Sequence, residues 1–517
     1  MREAVGRAAI GRHAVGRGGA RSISVKPSET TVDLDLRGPL WQVPAKHLTL
    51  VAVVEQINRM LAAARSQRRT RFPLAVVVLA AGQGTRMRSS LPKVMHKIAG
   101  RPLILHVLAA ARALKPERLA VVLAPEMATA AMAVAPAAIA IQRKPRGTAD
   151  AVRAALPALD GFAGDILIAY GDQPLITAAT LRALRARLAT AGIAVLGFVP
   201  RDPAAYGRLI VDGEGALVAI REHRDATPEE RRIGLCNSGV MAVRGDVLRR
   251  LLPKIGSDNA KGEFYLTDLV AIARAEGIAC AVAEGTEEEL HGVNSRTELA
   301  AAEAAMQRRL RAAAMEAGAT LIAPDSVWLS FDTRLGVDAV IAPHVFFGPG
   351  VTVGAGTEIH SFCHIVEARI GKNASVGPFA RLRPGAAIGD GAHIGNFVEI
   401  KASTVAPGAK VNHLSYVGDS SIGSGTNIGA GTITCNYDGF GKHRTRIGRN
   451  VFIGSNTALI APVAVGDGAV VAAGSVVTKD VAPDALAIAR AEERQIKGGA
   501  RRYRARKTAA LPARKKK

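Results

Sequence analysis

The feature that most constrains this chain is a six-residue repeat in its second half. Ile341, Phe347, Val353, Ile359 and Ile365 share one register. Ile370, Val376, Leu382, Ile388, Ile394 and Ile400 share a second, followed by Val405, Val411 and Val417 and then Ile422 and Ile428. After an interruption at 434–446 the period resumes with Ile447, Ile453, Leu459, Val465, Val471 and Val477, and many of these residues are followed by Gly or another small residue. A period of six matches neither an α-helix nor an alternating strand. It predicts a parallel β-helix of hexapeptide repeats, three to a triangular coil, with one aliphatic side chain per face pointing inward and small residues at the corners. Backbone ladders and small aliphatics need few rings, which accounts for an aromatic content of only 4%.

Between Phe72 and about residue 300 the pattern differs. Short apolar runs at 74–79, 119–123, 165–169, 194–198 and 240–243 alternate with Ala/Leu/Arg stretches of helical spacing. This βαβ rhythm predicts a parallel sheet covered by helices. Residues 296–316, rich in Ala and charge and free of Gly and Pro, read as one long connecting helix.

With 68 Lys and Arg against 44 Asp and Glu, the 517-residue chain carries a formal charge of +24, which first points to nucleic acid. However, residues 1–72 hold +8 of it and residues 490–517 hold +10, leaving +6 on the 417 residues between. A nucleic-acid binder would carry charge and stacking aromatics on its body, and this body has neither. Residues 1–71 read as a basic leader, or as upstream sequence ahead of a later start near Met60, rather than a targeting signal. Residues 490–517 read as a patternless, disordered basic tail. Cys236, Cys280, Cys363 and Cys435 are far apart and form no CxxC, which fits a reducing, cytoplasmic setting rather than a disulfide or zinc framework. No apolar run reaches the length of a membrane span.

Chemistry concentrates in a few segments. LAAGQGTRM at 79–87 follows the first strand and precedes LPK at 91–93. Gly82 and Gly84 let backbone approach a phosphate, and Arg86 and Lys93 add charge, but the Walker lysine motif and the third dinucleotide glycine are missing. Asp172, in Tyr170-Gly171-Asp172, ends an apolar strand where α/β sheets bind ligands, and its carboxylate suits Mg²⁺. In the repeat region RLRPG (381–385), VEIK (398–401), NHLSYVGD (412–419) and NIGAGTITCNYDGFGKHRT (427–445) interrupt the hexads. They place Arg381, Arg383, Lys401, His413, Tyr416, Asn436, Tyr437 and Lys442 on successive coils. Arg383 and Lys401, 18 residues apart, should stack, and His413 is the strong base candidate.

These motifs, with QRKPRGTADAV (142–152), YGRLI (206–210), EHRDAT (222–227), CNSG (236–239), EFYLTD (263–268) and GVNSR (292–296), resemble the sugar-1-phosphate nucleotidyltransferases. The span 74–490 resembles the bacterial bifunctional N-acetylglucosamine-1-phosphate uridylyltransferase/glucosamine-1-phosphate acetyltransferase family. The resemblance implies an α/β Rossmann-like nucleotidyltransferase domain (72–295), a linker helix (296–318) and a left-handed parallel β-helix of hexapeptide repeats (319–489) carrying acetyltransfer. It assigns Leu79, Ala80, Ala81, Gly82, Gln142, Gly147, Thr148, Tyr170 and Gly171 to the uridine nucleotide. Lys93, with Arg86, would meet the triphosphate; Gly207, Glu222 and Asn237 the sugar; Asp172 and Asn294 the Mg²⁺. In the second domain it assigns Arg383, Lys401, Tyr416 and Asn427 to glucosamine-1-phosphate. Ala430, Asn436, Tyr437, Ser455, Ala473 and Arg490 go to acetyl-CoA, and His413 is the base. A homotrimer with acetyltransfer sites between subunits is implied. The sequence departs from the family pattern at Gln173, Ser238 and Ala402. The other reading is a single nucleotidyltransferase whose β-helix is structural or regulatory.

Overall fold

The structure, a computed structural model, describes residues 72–203 and 206–510, so the leader expected at 1–71 and residues 511–517 lie outside it. The first domain is built on β1 (Leu74–Leu79), β2 (Arg118–Leu123), β3 (Ala138–Ile141), β4 (Asp165–Tyr170), β5 (Ile193–Phe198), β6 (Arg208–Val211), β7 (Leu217–Arg221), β8 (Cys236–Arg244) and β9 (Cys280–Glu284). Its main order is β9-β5-β8-β4-β1-β2-β3, with the β6–β7 hairpin attached to β8. All six residues of β1 are buried, as a central strand covered on both faces requires. The helices α1 (Leu103–Arg112), α2 (Ala128–Val134), α3 (Thr148–Ala155), α4 (Ala178–Ala186), α5 (Gly245–Leu251), α6 (Asp268–Ala275) and α7 (Glu287–Leu290) complete the layers.

One expectation needs correcting. The sheet is mixed, because β8, which contains the expected strand 240–243, runs antiparallel to both β4 and β5. A parallel return requires a crossover of a dozen or more residues, usually a helix. Here the chain goes from β5 to β8 through the antiparallel β6–β7 hairpin, so it comes back in the opposite direction.

The connecting helix α8 (Arg296–Glu316) forms as expected. Its start is set by a capping box in which Ser295 Oγ accepts from Glu298 N and the Glu298 carboxylate accepts from Ser295 N. It splices the two domains. Glu303 accepts from Ala99 N at 3.0 and 2.8 Å. Buried Gln307 pairs with both backbone groups of Leu329 at 2.7 and 2.9 Å, and Arg311 bonds Asp325 at 2.8 Å. Both polar side chains are buried only because the opening coil of the second domain satisfies them.

The second domain is the expected β-helix. Among the described residues its three faces hold ten, eight and eight parallel strands. Each residue of the hexad registers is at most 5% exposed, and together they form one continuous core. The interruption begins one position later than the apolar pattern implies. Thr434 takes the inward position with 1% exposure and pairs with Leu459 in the next coil. Its hydroxyl accepts from Gly418 N at 2.8 Å, so a polar residue continues the register by capping a backbone donor.

The corners also differ from expectation. Large residues hold positive φ at one of them: His344, Phe362, Phe379, Phe397 and Leu414, with φ of 50–64°. The repeat glycines answer mainly to coil stacking; a Cβ at Gly354 would lie 2.4 Å from the carbonyl oxygen of Gly371. The tail differs too. Residues Gly499–Ala509 form a helix with no buried residue, α9, because its Arg, Ala and Lys are strong helix formers with no interior Gly or Pro.

Thr434→Val restores the aliphatic hexad yet leaves the Gly418 N–H without its acceptor. It is expected to destabilise the chain by about 1–3 kcal/mol, read as a lowered denaturant midpoint. A midpoint equal to or above that of the parent would show that the hydroxyl is dispensable.

Candidate active sites

In the first domain the site gathers at the C-terminal ends of β1 and β4, where parallel strands present loops and free backbone groups. After Leu79 the chain passes through Ala80, Ala81 and Gly82; no atom lies within 4 Å of where a Cβ on Gly82 would stand, so this loop faces open space. Gly84 adopts φ 62°, and a Cβ there would fall 2.5 Å from Lys93 Cβ. That glycine lets Lys93 fold back across the loop.

The Lys93 ammonium is where three distant segments meet. It donates to Asp172 Oδ2 at 2.5 Å and to Asn294 Oδ1 at 3.0 Å. Asp172 also accepts on its carbonyl from Val293 N at 2.8 Å, and Asn294 N donates to Glu298 in the α8 cap at 2.6 Å. Residues 93, 172 and 294 are thus one cluster, with a carboxylate and an amide oxygen converging on one cationic atom. Arg86 is exposed on the same glycine loop.

The residues expected to meet the sugar also converge. Asn237 N donates to Gly207 O at 2.8 Å, and a Cβ on Gly207 would lie 3.5 Å from Glu222 Oε2. Burial pushes the Glu222 carboxyl above the usual range, with a weak bond from Thr267 at 3.4 Å opposing it. Tyr170 lies between this group and the uridine set. Burial first, then the charges of Glu222 and Asp172, raise its phenol above the ordinary range, while Thr148 hydrogen-bonds it. Gln142 donates to Gly147 O and to Asp150, both at 3.0 Å, closing the loop that leads into α3. Gly147 is required there, since a Cβ would fall 2.5 Å from Phe264 O.

In the β-helix the expected residues fall into two groups along the edges of one face. The first is a corner column. Asn396 pairs with His413 in the next coil, Gly431 N reaches His413 O, Asn456 N reaches Ala430 O, and Gly474 N reaches Ser455 O. Arg490 Nη1 bonds Ala473 O at 2.6 Å. His413, Ala430, Ser455, Ala473 and Arg490 therefore stack in coil order, with Asn427 on the strand leading into Ala430. His413 is exposed, and its Nδ1 donates to Asn396 Oδ1 at 2.8 Å. An amide oxygen only accepts, so in this pairing Nδ1 carries the hydrogen and Nε2 is the unprotonated ring nitrogen.

The second group is a cluster of charged side chains. Arg383 stacks on Lys401 as expected and bonds Glu399 at 2.8 Å. Lys401 meets Asp419 at 3.3 Å, and Asn436 donates to the same Asp419 oxygen at 2.5 Å. Burial disfavours ionised Asp419, but Asn436 and Lys401 hold its carboxyl below the usual range. Lys442, from the loop inserted after Thr434, joins them; hydrogen bonding to Lys401, and then the charge of Lys401, hold its ammonium below the ordinary lysine range. Lys442 adds a third cation to Arg383 and Lys401. Tyr416 lies between the two groups, its hydroxyl packed over Gly418, where a Cβ would be 2.6 Å away. Tyr437 bonds Gly439 O at 2.7 Å and is exposed.

Sequence reasoning missed Asn396, Glu399 and Asp419. Coil arithmetic could have found Asn396, which lies 17 residues before His413, one coil away. Among the described residues no group of three or more His, Cys, Asp or Glu converges as a metal site, no helix is long and apolar enough to cross a membrane, and the four cysteines are free thiols.

Known proteins match along the same division. Residues 76–323 match the family model of the MobA-like NTP transferase domain. Residues 367–402 match the bacterial transferase hexapeptide, and 444–479 the hexapeptide repeat of succinyl-transferase. The protein from Paramagnetospirillum magneticum named bifunctional protein GlmU is 57% identical over 439 residues, covering 84% of this chain and 98% of that one. Proteins of the same name from Rhodospirillum rubrum and Bradyrhizobium sp. are 59% and 55% identical, covering 83% of this chain and 97% and 96% of theirs. At that identity and coverage the chain belongs to the family of the bifunctional protein GlmU.

Proposed function

We propose that the chain makes UDP-N-acetylglucosamine in two steps, one per domain, and that the residues gathered above carry them. The observation that carries this reading over a structural β-helix is the Asn396–His413 pair at 2.8 Å, in one corner column with Ala430, Ser455, Ala473 and Arg490. A coil that served only as a spacer has no use for an exposed imidazole held in one tautomer.

In acetyl transfer, Arg383, Lys401 and Lys442 bind the phosphate of glucosamine-1-phosphate, with Tyr416 and Asn427 orienting the sugar. His413 Nε2 takes a proton from the amine as its nitrogen attacks the thioester carbonyl of acetyl-CoA. The C–N bond forms, the C–S bond breaks, and the departing thiolate of coenzyme A is protonated. Ala430, Asn436, Tyr437, Ser455, Ala473 and Arg490 bind acetyl-CoA.

In uridylyl transfer, a phosphate oxygen of N-acetylglucosamine-1-phosphate attacks the α-phosphorus of UTP, and the bond to the β-phosphate breaks to release pyrophosphate. Leu79–Gly82, Gln142, Gly147 and Thr148 hold the nucleotide, and Gly207, Glu222 and Asn237 orient the sugar. Lys93, with Arg86, neutralises the triphosphate. Positioning and charge neutralisation supply most of what phosphoryl transfer needs. The oxygens of Asp172 and Asn294 suit a divalent cation, and as hard donors suit Mg²⁺, which takes one or two protein oxygens beside phosphates and waters. When bound, the metal would draw negative charge from the reacting phosphates.

The chain also carries a surface fitted to self-association. Phe362, Phe379, Phe397 and Leu414, 46–62% exposed, run up the corner that holds Asn396 and His413, with the phenyl rings 4.8 and 5.1 Å apart. An exposed apolar ladder continuous with a site is a natural seam, and it supports a homotrimer with acetyltransfer sites at that seam.

His413→Ala is expected to lower acetyl transfer by about 10²–10⁴-fold while sparing uridylyl transfer from supplied N-acetylglucosamine-1-phosphate. Asp172→Ala should do the reverse. A coupled assay with each substrate omitted in turn separates the steps, and near-parental acetylation by His413→Ala would remove the base assignment. Phe379→Asp should convert trimer to smaller species in light scattering and abolish acetyl transfer alone; an unchanged mass would exclude the ladder as the seam.

A further inference from the structure

Gln173 directly follows Asp172, is 5% exposed, and is one of two positions in the first domain where the sequence departs from the pattern it resembles. Its Nε2 donates to Ser238 O at 2.8 Å and Leu290 O at 3.1 Å. Regular structure leaves both carbonyls in need of a donor. Ser238 lies where β8 slips register against β5, between Asn237 and Met241, and a bulged residue drops out of its ladder. Leu290 ends α7, and the last carbonyls of a helix have no partner inside it. A carboxamide nitrogen carries two hydrogens, so one side chain serves both. The other departure, Ser238, is the residue whose carbonyl Gln173 reaches, and its own hydroxyl donates to Leu196 O at 2.6 Å.

The three joined segments are those of the uridylyl site. Asn237 precedes Ser238, Asp172 precedes Gln173, and Asn294 follows Leu290 by one short turn tied back through Val293 N to Asp172 O at 2.8 Å. Tightening or loosening this knot changes the distance between the strand that meets the sugar and the Asp172–Asn294 oxygen pair. Gln173 leaves its own Oε1 buried without a protein donor, so its place is better explained by its two donated bonds than by general satisfaction of polar atoms.

We infer that Gln173 is a positioning residue for uridylyl transfer: it holds the sugar-recognising end of β8 in register with Asp172 and Asn294 and touches no substrate. The inference rests on the roles proposed above for Asp172, Asn237 and Asn294. Gln173→Met keeps the length of the side chain and removes both donors. Its KM for N-acetylglucosamine-1-phosphate should rise about tenfold, a loss of about 1.4 kcal/mol. The Kd for UDP-N-acetylglucosamine, measured by calorimetry without added metal, should rise alike. The KM for UTP and the acetyl transfer of the same chain should stay near those of the parent, while two buried carbonyls left without a donor lower its thermal midpoint.

Gln173→Glu, isosteric with the native side chain, sets an oxygen against the same two carbonyls and should weaken binding at least as much. Parental KM and Kd in both variants would overturn the inference. So would an equal fall in both activities, the mark of a general folding defect. Asp172→Ala separates the underlying reading: if it retains uridylyl transfer, the site assignment itself fails. If it is inactive beside an unimpaired Gln173→Met, only the role of Gln173 is lost.

Discussion

The backbone ladder between successive coils is the interaction on which the second domain depends. Each strand contributes two to four residues, too few to be stable alone, and gains its hydrogen bonds from the coils before and after it. The ladder sets a strict translation along the axis, so residues 17, 18 or, across the inserted loop, 25 positions apart become neighbours. Inward aliphatics then close a core with no polar lining beyond residues such as Thr434. Outward residues at equivalent positions are forced into columns. Arg383 over Lys401, and Asn396 beside His413, are consequences of that translation.

The first domain positions its chemistry differently. Its sheet delivers loops to one edge, and long-range side-chain contacts lock them together: Lys93 to Asp172 and Asn294, Gln173 to Ser238 and Leu290. These contacts span 65 to 201 residues of sequence. α8 joins the two architectures through polar side chains that each domain satisfies, so the chain is continuous although its halves obey different packing rules.

Legibility followed periodicity. The hexads, the long helix and the strand that leads to Asp172 were readable because each repeats a local rule over many residues. The direction of β8 was not, since the β6–β7 hairpin that reverses it carries weak alternation in a polar stretch. The helix at Gly499–Ala509 was hidden by its lack of an apolar face, although its residues favour helix. Among the proposed site residues, motif spacing pointed to Lys93, Asp172, His413 and Lys401. Asn396, Asp419 and the junction at Gln173 depend on which groups face one another, and the chemistry of any one of them alone is ordinary.

By itself, the sequence determined the two architectures, the order in which they occur, the family motifs and the location of most of the +24 charge on the flanks. Six-residue and βαβ periods are local, and net charge is a sum, so neither needs a fold to be read. The tertiary structure alone decided the mixed sheet, the tautomer of His413, the meeting of Lys93 with Asp172 and Asn294, and the two carbonyls tied by Gln173. Each of these is a contact between groups far apart in the chain, and only the closing of the fold brings their atoms within hydrogen-bonding distance.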